Sequence, residues 1–560
     1  MRNKVLIGLL SILCSVFYSK AQKPFPSDTF RVVKSYQPTI IDAQKIDFKI
    51  EIEDTFKLET KLQYDFIQKQ LPYSYSFEPI PAAKIKGEPL VKLYRGYARL
   101  GLGNALLPFG EIYYSSLRSK KMSWGVHASY FNMDEVNDIE GSDRSNAHLE
   151  VFGKRFWKTN TFETKLRYEQ SQLNYYGDYQ LPSLQNIETP SSELEQQYDR
   201  FTADFELTST VKDSFNLRHK ANLHFGMIGN EGGENEFYWK AALHLGQFNN
   251  QEFYELDFDI HQNQYDLDRS DDNTLISLRP QISTIGERFK VKVGLGLYLN
   301  NEESTDFHFY PLAEVNYNVI EDVLIPYAGL KGGIRQLNYQ QLTLENPFIA
   351  ERFDLKNSNE KFQLYAGLRG TLSSKLSFNL NGSFNRTDDA YFYVQEFDSL
   401  QQLTNDFQLI YDELDELQLK GEMIYRFSDA LKFMATAQYF NFDLEQQAEA
   451  WHRPEVKANL SASYNLRDKI ILKADLFYWG EQKARSVDAT TANGNDFTFN
   501  EFTVNTLDAI FDANLGIEYR YTKRLSAFIQ FNNIGGVNYK KYQNYPLQGF
   551  NVWGGFTYGF

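Results

Sequence analysis

From about residue 92 to the last residue, the chain alternates apolar and polar side chains with a period of two. In Leu376 to Phe384, the residues Leu376, Phe378, Leu380, Gly382 and Phe384 take one face, and Ser377, Asn379, Asn381 and Ser383 the other. Glu416 to Tyr425 sets Leu417, Leu419, Gly421, Met423 and Tyr425 against Glu416, Gln418, Lys420 and Glu422, and Lys457 to Asn465 and Ile470 to Tyr478 repeat the pattern. Successive side chains of a strand point to opposite faces, so these segments read as strands with one apolar and one polar face. No long helical segment follows residue 92. No stretch beyond residue 21 approaches the ~18 apolar residues of a membrane-crossing helix.

The connections narrow the architecture. The alternation predicts about 22 strands, within a range of about 20 to 24, an even number as bacterial outer-membrane barrels require. Every second connection is tight: Ser119-Lys120, Lys158-Thr159-Asn160, Lys212-Asp213-Ser214, Asn249-Asn250, Gly286-Glu287, Glu321-Asp322, Ser373-Ser374, Ser428-Asp429, Arg467-Asp468 and Thr522-Lys523. The others are mostly long, including 133–144, 173–195, 333–360, 387–414, 480–508 and 533–547. Short turns at one end and long loops at the other are what a membrane barrel gives, with brief periplasmic turns and longer outer loops. A soluble sandwich has no reason to sort its loops by parity. The expected fold is therefore all-β: a transmembrane antiparallel outer-membrane β-barrel over 92–560, in the cell outer membrane.

The end of the chain fits. Phe550, Val552, Gly554, Phe556, Tyr558 and Phe560 alternate with Asn551, Trp553, Gly555, Thr557 and Gly559. We expect Phe556, Tyr558 and Phe560 to form a C-terminal signal read by the barrel assembly machinery. A closed barrel pairs this last strand with the first and leaves no edge.

The segments Asn514-Leu515-Gly516-Ile517-Glu518-Tyr519-Arg520-Tyr521, Phe531-Asn532-Asn533-Ile534, Tyr542-Gln543-Asn544-Tyr545-Pro546 and the final strand resemble the closing strands of TonB-dependent receptor barrels. The strand count is similar to that family too. The Tyr/Phe/Asn-rich strands resemble outer-membrane proteins of the Bacteroidota. The resemblance implies a role in outer-membrane transport, but such receptors carry a globular plug before the barrel. Here residues 22–91 show no plug-like pattern and no TonB-engaging box, so plug-gated import is not carried over. Pro72, Pro79, Pro81 and Pro89 punctuate this segment and favour an extended periplasmic chain. A barrel of this size needs something to narrow its lumen. The candidates are this segment, inward-folded long loops, or a separate protein.

Residues 1–21 read as a signal peptide. Arg2 and Lys4 precede an apolar run from Val5 to Tyr18, and Ser19-Lys20-Ala21 places cleavage between Ala21 and Gln22, which itself resembles Bacteroidota sites. The run is too short to be an anchoring helix. The only cysteine, Cys14, lies inside it, which rules out a disulfide framework and a cysteine zinc site. A net charge of −15 argues against nucleic acid as a partner. With 37 Tyr, 45 Phe and 6 Trp the chain is far too aromatic for disorder. Pairs near strand ends, Phe156-Trp157 and Tyr478-Trp479, suit the girdles at the membrane interfaces.

Chemistry is sparse. The eight histidines are scattered, and His219 and His224, an odd distance apart, fall on opposite faces of a strand. No nucleophile elbow, zinc-protease motif or phosphate loop occurs, so neither an enzyme nor a cofactor is expected. Two acidic clusters stand out, Asp134, Glu135, Asp138, Glu140 and Asp143 in one expected outer loop, and Asp266, Asp268, Asp271 and Asp272 in another. The second set is a weak Ca²⁺ candidate with no EF-hand spacing, against a plain reading as solvated loop charge. Three roles remain: a component of an outer-membrane transport or assembly system with an occluded lumen, a passive porin-like channel, or a structural or adhesive surface anchor. Beyond outer-membrane lipid and the assembly machinery, a periplasmic or surface lipoprotein is the expected kind of partner.

Overall fold

The computed structural model describes residues 94–560, apart from 137–138, 140, 178–194, 211–216, 234, 268, 303, 321–322, 351–352, 396–405 and 488–501. The segment 1–91, with the cleavage site Ala21/Gln22, lies outside the described residues.

Period-two sequence becomes antiparallel sheet: 22 strands pair with their sequence neighbours in one sheet. The first, Gly96–Gly103, pairs with the last, Asn551–Gly559, from Tyr97↔Gly559 to Gly103↔Trp553, so the sheet closes into a barrel without edges. The apolar faces point outward, where Leu100, Phe307, Phe309, Leu380 and Leu419 are exposed. The opposite faces carry ion pairs such as Arg167–Glu150, Lys292–Glu255 and Arg279–Asp259, which suit a polar lumen. A closed barrel with an apolar exterior satisfies every backbone group within lipid, and that places the chain in the outer membrane.

The eight tight connections among the described residues fall at one end, the periplasmic end by the barrel rule, while Lys212-Asp213-Ser214 and Glu321-Asp322 lie outside the described residues. The outer end departs from expectation in both directions. Strands Leu376–Val394 and Gln408–Arg426 run deep into the expected loop 387–414, with a register shift between Thr387 and Ala390. The strand expected near 452 begins at Val456. The first strand starts at Gly96 and not near 92. The long connection after Trp479 carries its own hairpin, Gln482–Val487 with Phe502–Leu507.

The second acidic cluster is not a loop. Strands Glu252–Leu267 and Arg269–Ile285 pair out to Arg269↔Leu267, which puts Asp266, Asp271 and Asp272 at strand positions, while Asp268 lies outside the described residues. Their alternation distributes neighbouring positions between two faces. Among the described residues no group of three or more His, Cys, Asp or Glu could hold a metal. The girdle reading also needs a correction: Phe156, Trp157 and Tyr478 are exposed, but Trp479, next in register, turns to the interior and stacks against Lys457.

Candidate functional site in the barrel mouth

The buried aromatic residues do not lie between sheets, as in a sandwich. They collect at the outer end of the lumen, where loop residues Leu337, Tyr339, Leu342, Phe348, Ile349 and Phe353 pack with Tyr198, Ile228 and Tyr265 of one stretch of wall. The same cluster includes Tyr391, Tyr393, Phe407 and Leu409 of another stretch, and Tyr542 and Tyr545 of the final loop. Burying one such side chain contributes roughly 1.5–3 kcal/mol, so loops this apolar fold inward and do not trail in water.

A seven-residue helix, Tyr339–Glu345, is the centre of this cap. Its buried residues Tyr339, Leu342 and Thr343 share one side at helical spacing. Asn338 caps it, its Oδ1 accepting the Gln341 N–H at 2.8 Å. The wall supplies the rest. Glu236, 1% exposed, accepts the Tyr339 N–H at 2.6 Å and the Gln340 N–H at 3.0 Å, and Asn263 donates to the same carboxylate at 2.9 Å. Arg200 donates to the Thr343 hydroxyl at 3.3 Å. At the other end the Tyr391 hydroxyl donates to the Glu345 carboxylate at 2.6 Å, and the Glu345 carbonyl accepts from Tyr542 at 2.8 Å and Lys541 at 3.2 Å. The helix thus ties strands near Glu236 to the extended hairpin bearing Tyr391.

The loop that follows is fixed equally well. Tyr175 and Tyr198 hydroxyls donate to the Ile349 and Pro347 carbonyls at 2.8 and 3.0 Å. Phe348 stacks on Tyr545 with ring centres 3.7 Å apart. The Ala350 N–H donates to the Phe407 carbonyl and the Phe407 N–H to the Phe348 carbonyl, which makes a short parallel bridge between Ile349 and Phe407.

His452 joins three loops and the wall. Its backbone N–H donates to the Lys483 carbonyl at 2.8 Å, its Nδ1 lies 3.0 Å from the Tyr393 carbonyl, and its Nε2 accepts the Gln543 N–H at 3.2 Å. These contacts assign the proton to Nδ1 and require a neutral ring. Burial pushes its pKa from 6.5 down to about 4, with the Lys541 charge acting the same way and the Tyr393 carbonyl opposing. The unfolded ring takes up a proton before the folded one, so stability from this contact is fully present above pH 6.5. It is lost as pH falls to about 4, on the order of 3 kcal/mol. Protease cutting within 336–357 should therefore rise as pH drops from 6.5 to 4, and His452→Gln should flatten that dependence; a wild-type rate unchanged over this window would refute it.

Between the cap and the wall lies a cavity of about 560 Å³, lined from above by Tyr393, Arg453, Gln482 and Lys541 and from the wall by Glu360 and Lys457.

Of the residues singled out from sequence, Phe556 and Tyr558 face outward on the closing strand, paired with Leu100 and Ala98, and the Phe560 carbonyl accepts N–H bonds from Arg95 and Gly96. They lie at the opposite end of the barrel from the cap. His219 and His224 have separate partners, Asn160 for the first and Asp204 with Tyr238 for the second. Inward-folded long loops were one of three candidates for narrowing the lumen, but the residues that build the cap were not anticipated. Its signal was present in the aromatic run 391–393 and in Tyr542 and Tyr545, all within expected loops; the first continues the strand Leu376–Val394 and the second pair sits in a short hairpin, Lys540–Tyr542 with Tyr545–Pro546.

No protein-family model and no curated protein matches the chain. Solved structures do, and they are TonB-dependent receptor barrels. The siderophore receptor PirA from Acinetobacter baumannii superposes with a TM-score of 0.65 at 12% identity, over 84% of this chain and 81% of that one. The pyoverdine outer-membrane receptor FpvA from Pseudomonas aeruginosa bound to pyoverdine gives 0.62 at 10% identity, over 84% and 79%. The copper transporter OprC gives 0.60 at 11% identity, over 84% of each. At these identities the likeness is one of fold.

Proposed function

We propose that the protein is an outer-membrane transport barrel, or the barrel component of an outer-membrane transport or assembly system, whose outer mouth is closed at rest by its own loops. The observation that carries this reading is the packed cap: a helix anchored at Glu236 on one side and at Tyr391 and Tyr542 on the other. A passive channel has no use for an aromatic core across its entrance. A surface anchor has no use for a polar cavity beneath one. Similar structures that are receptors and a transporter agree with a transport role and not with an enzyme. In this reading the chain is exported by the signal ending at Ala21, inserted through its Phe560-terminated strand, and works with a periplasmic or surface lipoprotein in a Bacteroidota-type envelope.

Planar-bilayer recording of the whole chain tests it. A closed barrel with only brief openings is expected. A steady large current at rest would favour the porin-like alternative.

A further inference from the structure

Resting on that transport reading, we propose that the cavity between cap and wall is a binding site for an acidic saccharide, a sugar ring carrying both hydroxyls and a carboxylate. Its volume of about 560 Å³ falls within the range of small-molecule pockets.

Four cations line it, Arg335, Arg453, Lys457 and Lys541, and among the described residues none pairs with a carboxylate. Arg335 lies 5.4 Å from the Tyr391 ring centre, and Arg453 lies 4.4 Å from that of Phe392 while donating to the Tyr391 carbonyl. Lys457 sits 5.1 Å from the Trp479 ring, and Lys541 donates to the Glu345 carbonyl and lies 4.8 Å from the Tyr542 ring centre. Aromatic faces and carbonyls hold these charges in place. Glu345 acts on Arg453, Lys457 and Lys541, and Glu416 on the first two, through space without a salt-bridge contact, which leaves the cations available to an anion.

The neutral polar atoms point to a second chemistry. Among the described residues the buried Nε2 of Gln482, 1% exposed, has no partner, and the buried hydroxyl of Tyr393, 4% exposed, is in the same condition. Glu360 Oε1 and Asn385 Oδ1 add two buried acceptors without partners among the described residues. Leaving such groups unmatched costs about 1–3 kcal/mol each, so four around one cavity call for a ligand that both donates and accepts. Hydroxyls do both. The rings of Phe440 and Trp479 supply flat apolar surface for the face of a sugar. A neutral sugar leaves the cations unanswered, and a simple carboxylate leaves the orphan atoms unanswered. The carboxylates of Glu345, Glu360 and Glu416 oppose a polyanion.

Calorimetric titration of the full chain in detergent with sodium D-glucuronate, D-glucose and sodium acetate tests the assignment. Glucuronate is expected to bind, with glucose and acetate weaker by about tenfold or more. Gln482→Leu and Lys457→Met should each weaken glucuronate by about tenfold while keeping heat-modifiable gel mobility. Glucuronate binding that is absent, that is matched by glucose or acetate, or that survives both substitutions overturns the site. A barrel that is closed in bilayers yet ignores glucuronate contradicts this inference alone, whereas a steady resting current contradicts the transport reading.

Discussion

Replacing Gly555 with valine should abolish barrel closure. A Cβ at this position would stand 1.8 Å from the Leu100 carbonyl oxygen and 2.7 Å from the Gly101 Cα, both backbone atoms of the first strand. No side-chain rotation can relieve such a clash, so the two strands must separate. The seam they form is the pairing from Tyr97↔Gly559 to Gly103↔Trp553, and without it two strands expose unpaired N–H and C=O groups to lipid, at several kcal/mol for each group. We expect G555V to lose the compact, heat-modifiable band on a denaturing gel almost entirely, with folded yield down by about tenfold or more. Gly516→Ala is the control, because the nearest atoms to its Cβ are 3.9 Å away and its yield should match wild type. A G555V protein that migrates as a folded barrel would show that the seam is not as described.

Glu236→Leu should unlatch the cap without disturbing the wall. The carboxylate receives three donors, the Tyr339 and Gln340 N–H groups and the Asn263 amide, all buried. Leucine leaves those donors without acceptors, at about 1–3 kcal/mol each, and the opening equilibrium should shift by at least about 3 kcal/mol, or roughly a hundredfold in open population. In single-channel records the wild type should stay closed and E236L should show frequent long openings. Glu236→Gln, which keeps one acceptor oxygen, should fall between them. Indistinguishable records from wild type and E236L would remove the latch from the mechanism.

The barrel was legible because its code is local. Alternation within a strand and parity of turn lengths need only neighbouring residues, and both survived in the structure, down to the strand number and the pairing of the Phe560-terminated strand with the first. The cap was not legible, because its code is non-local. Whether Tyr339 meets Glu236 or Tyr542 meets Glu345 depends on strands far apart in sequence. Outward of the membrane the rule of one apolar and one polar face also lapses: Ala390, Tyr391, Phe392, Tyr393 and Val394 are all buried, because packed loops cover both faces of their strand. A run of five apolar or aromatic residues therefore read as the beginning of a loop where the structure continues a strand. The acidic cluster failed for a related reason. Asp266, Asp271 and Asp272 suggested a loop by composition, yet ladder pairing carried the hairpin through them. At Tyr478-Trp479 the two adjacent aromatics looked like one girdle element, although period two obliges them to face opposite ways.

The central claim is that the chain closes its own outer mouth. Cryo-electron microscopy of the full chain in lipid nanodiscs tests it most directly: the account predicts density for the helix Tyr339–Glu345 across the mouth, its first turn against Glu236 and its last residue against Tyr391 and Tyr542. An open mouth, with 336–357 lying outside the lumen, would contradict it.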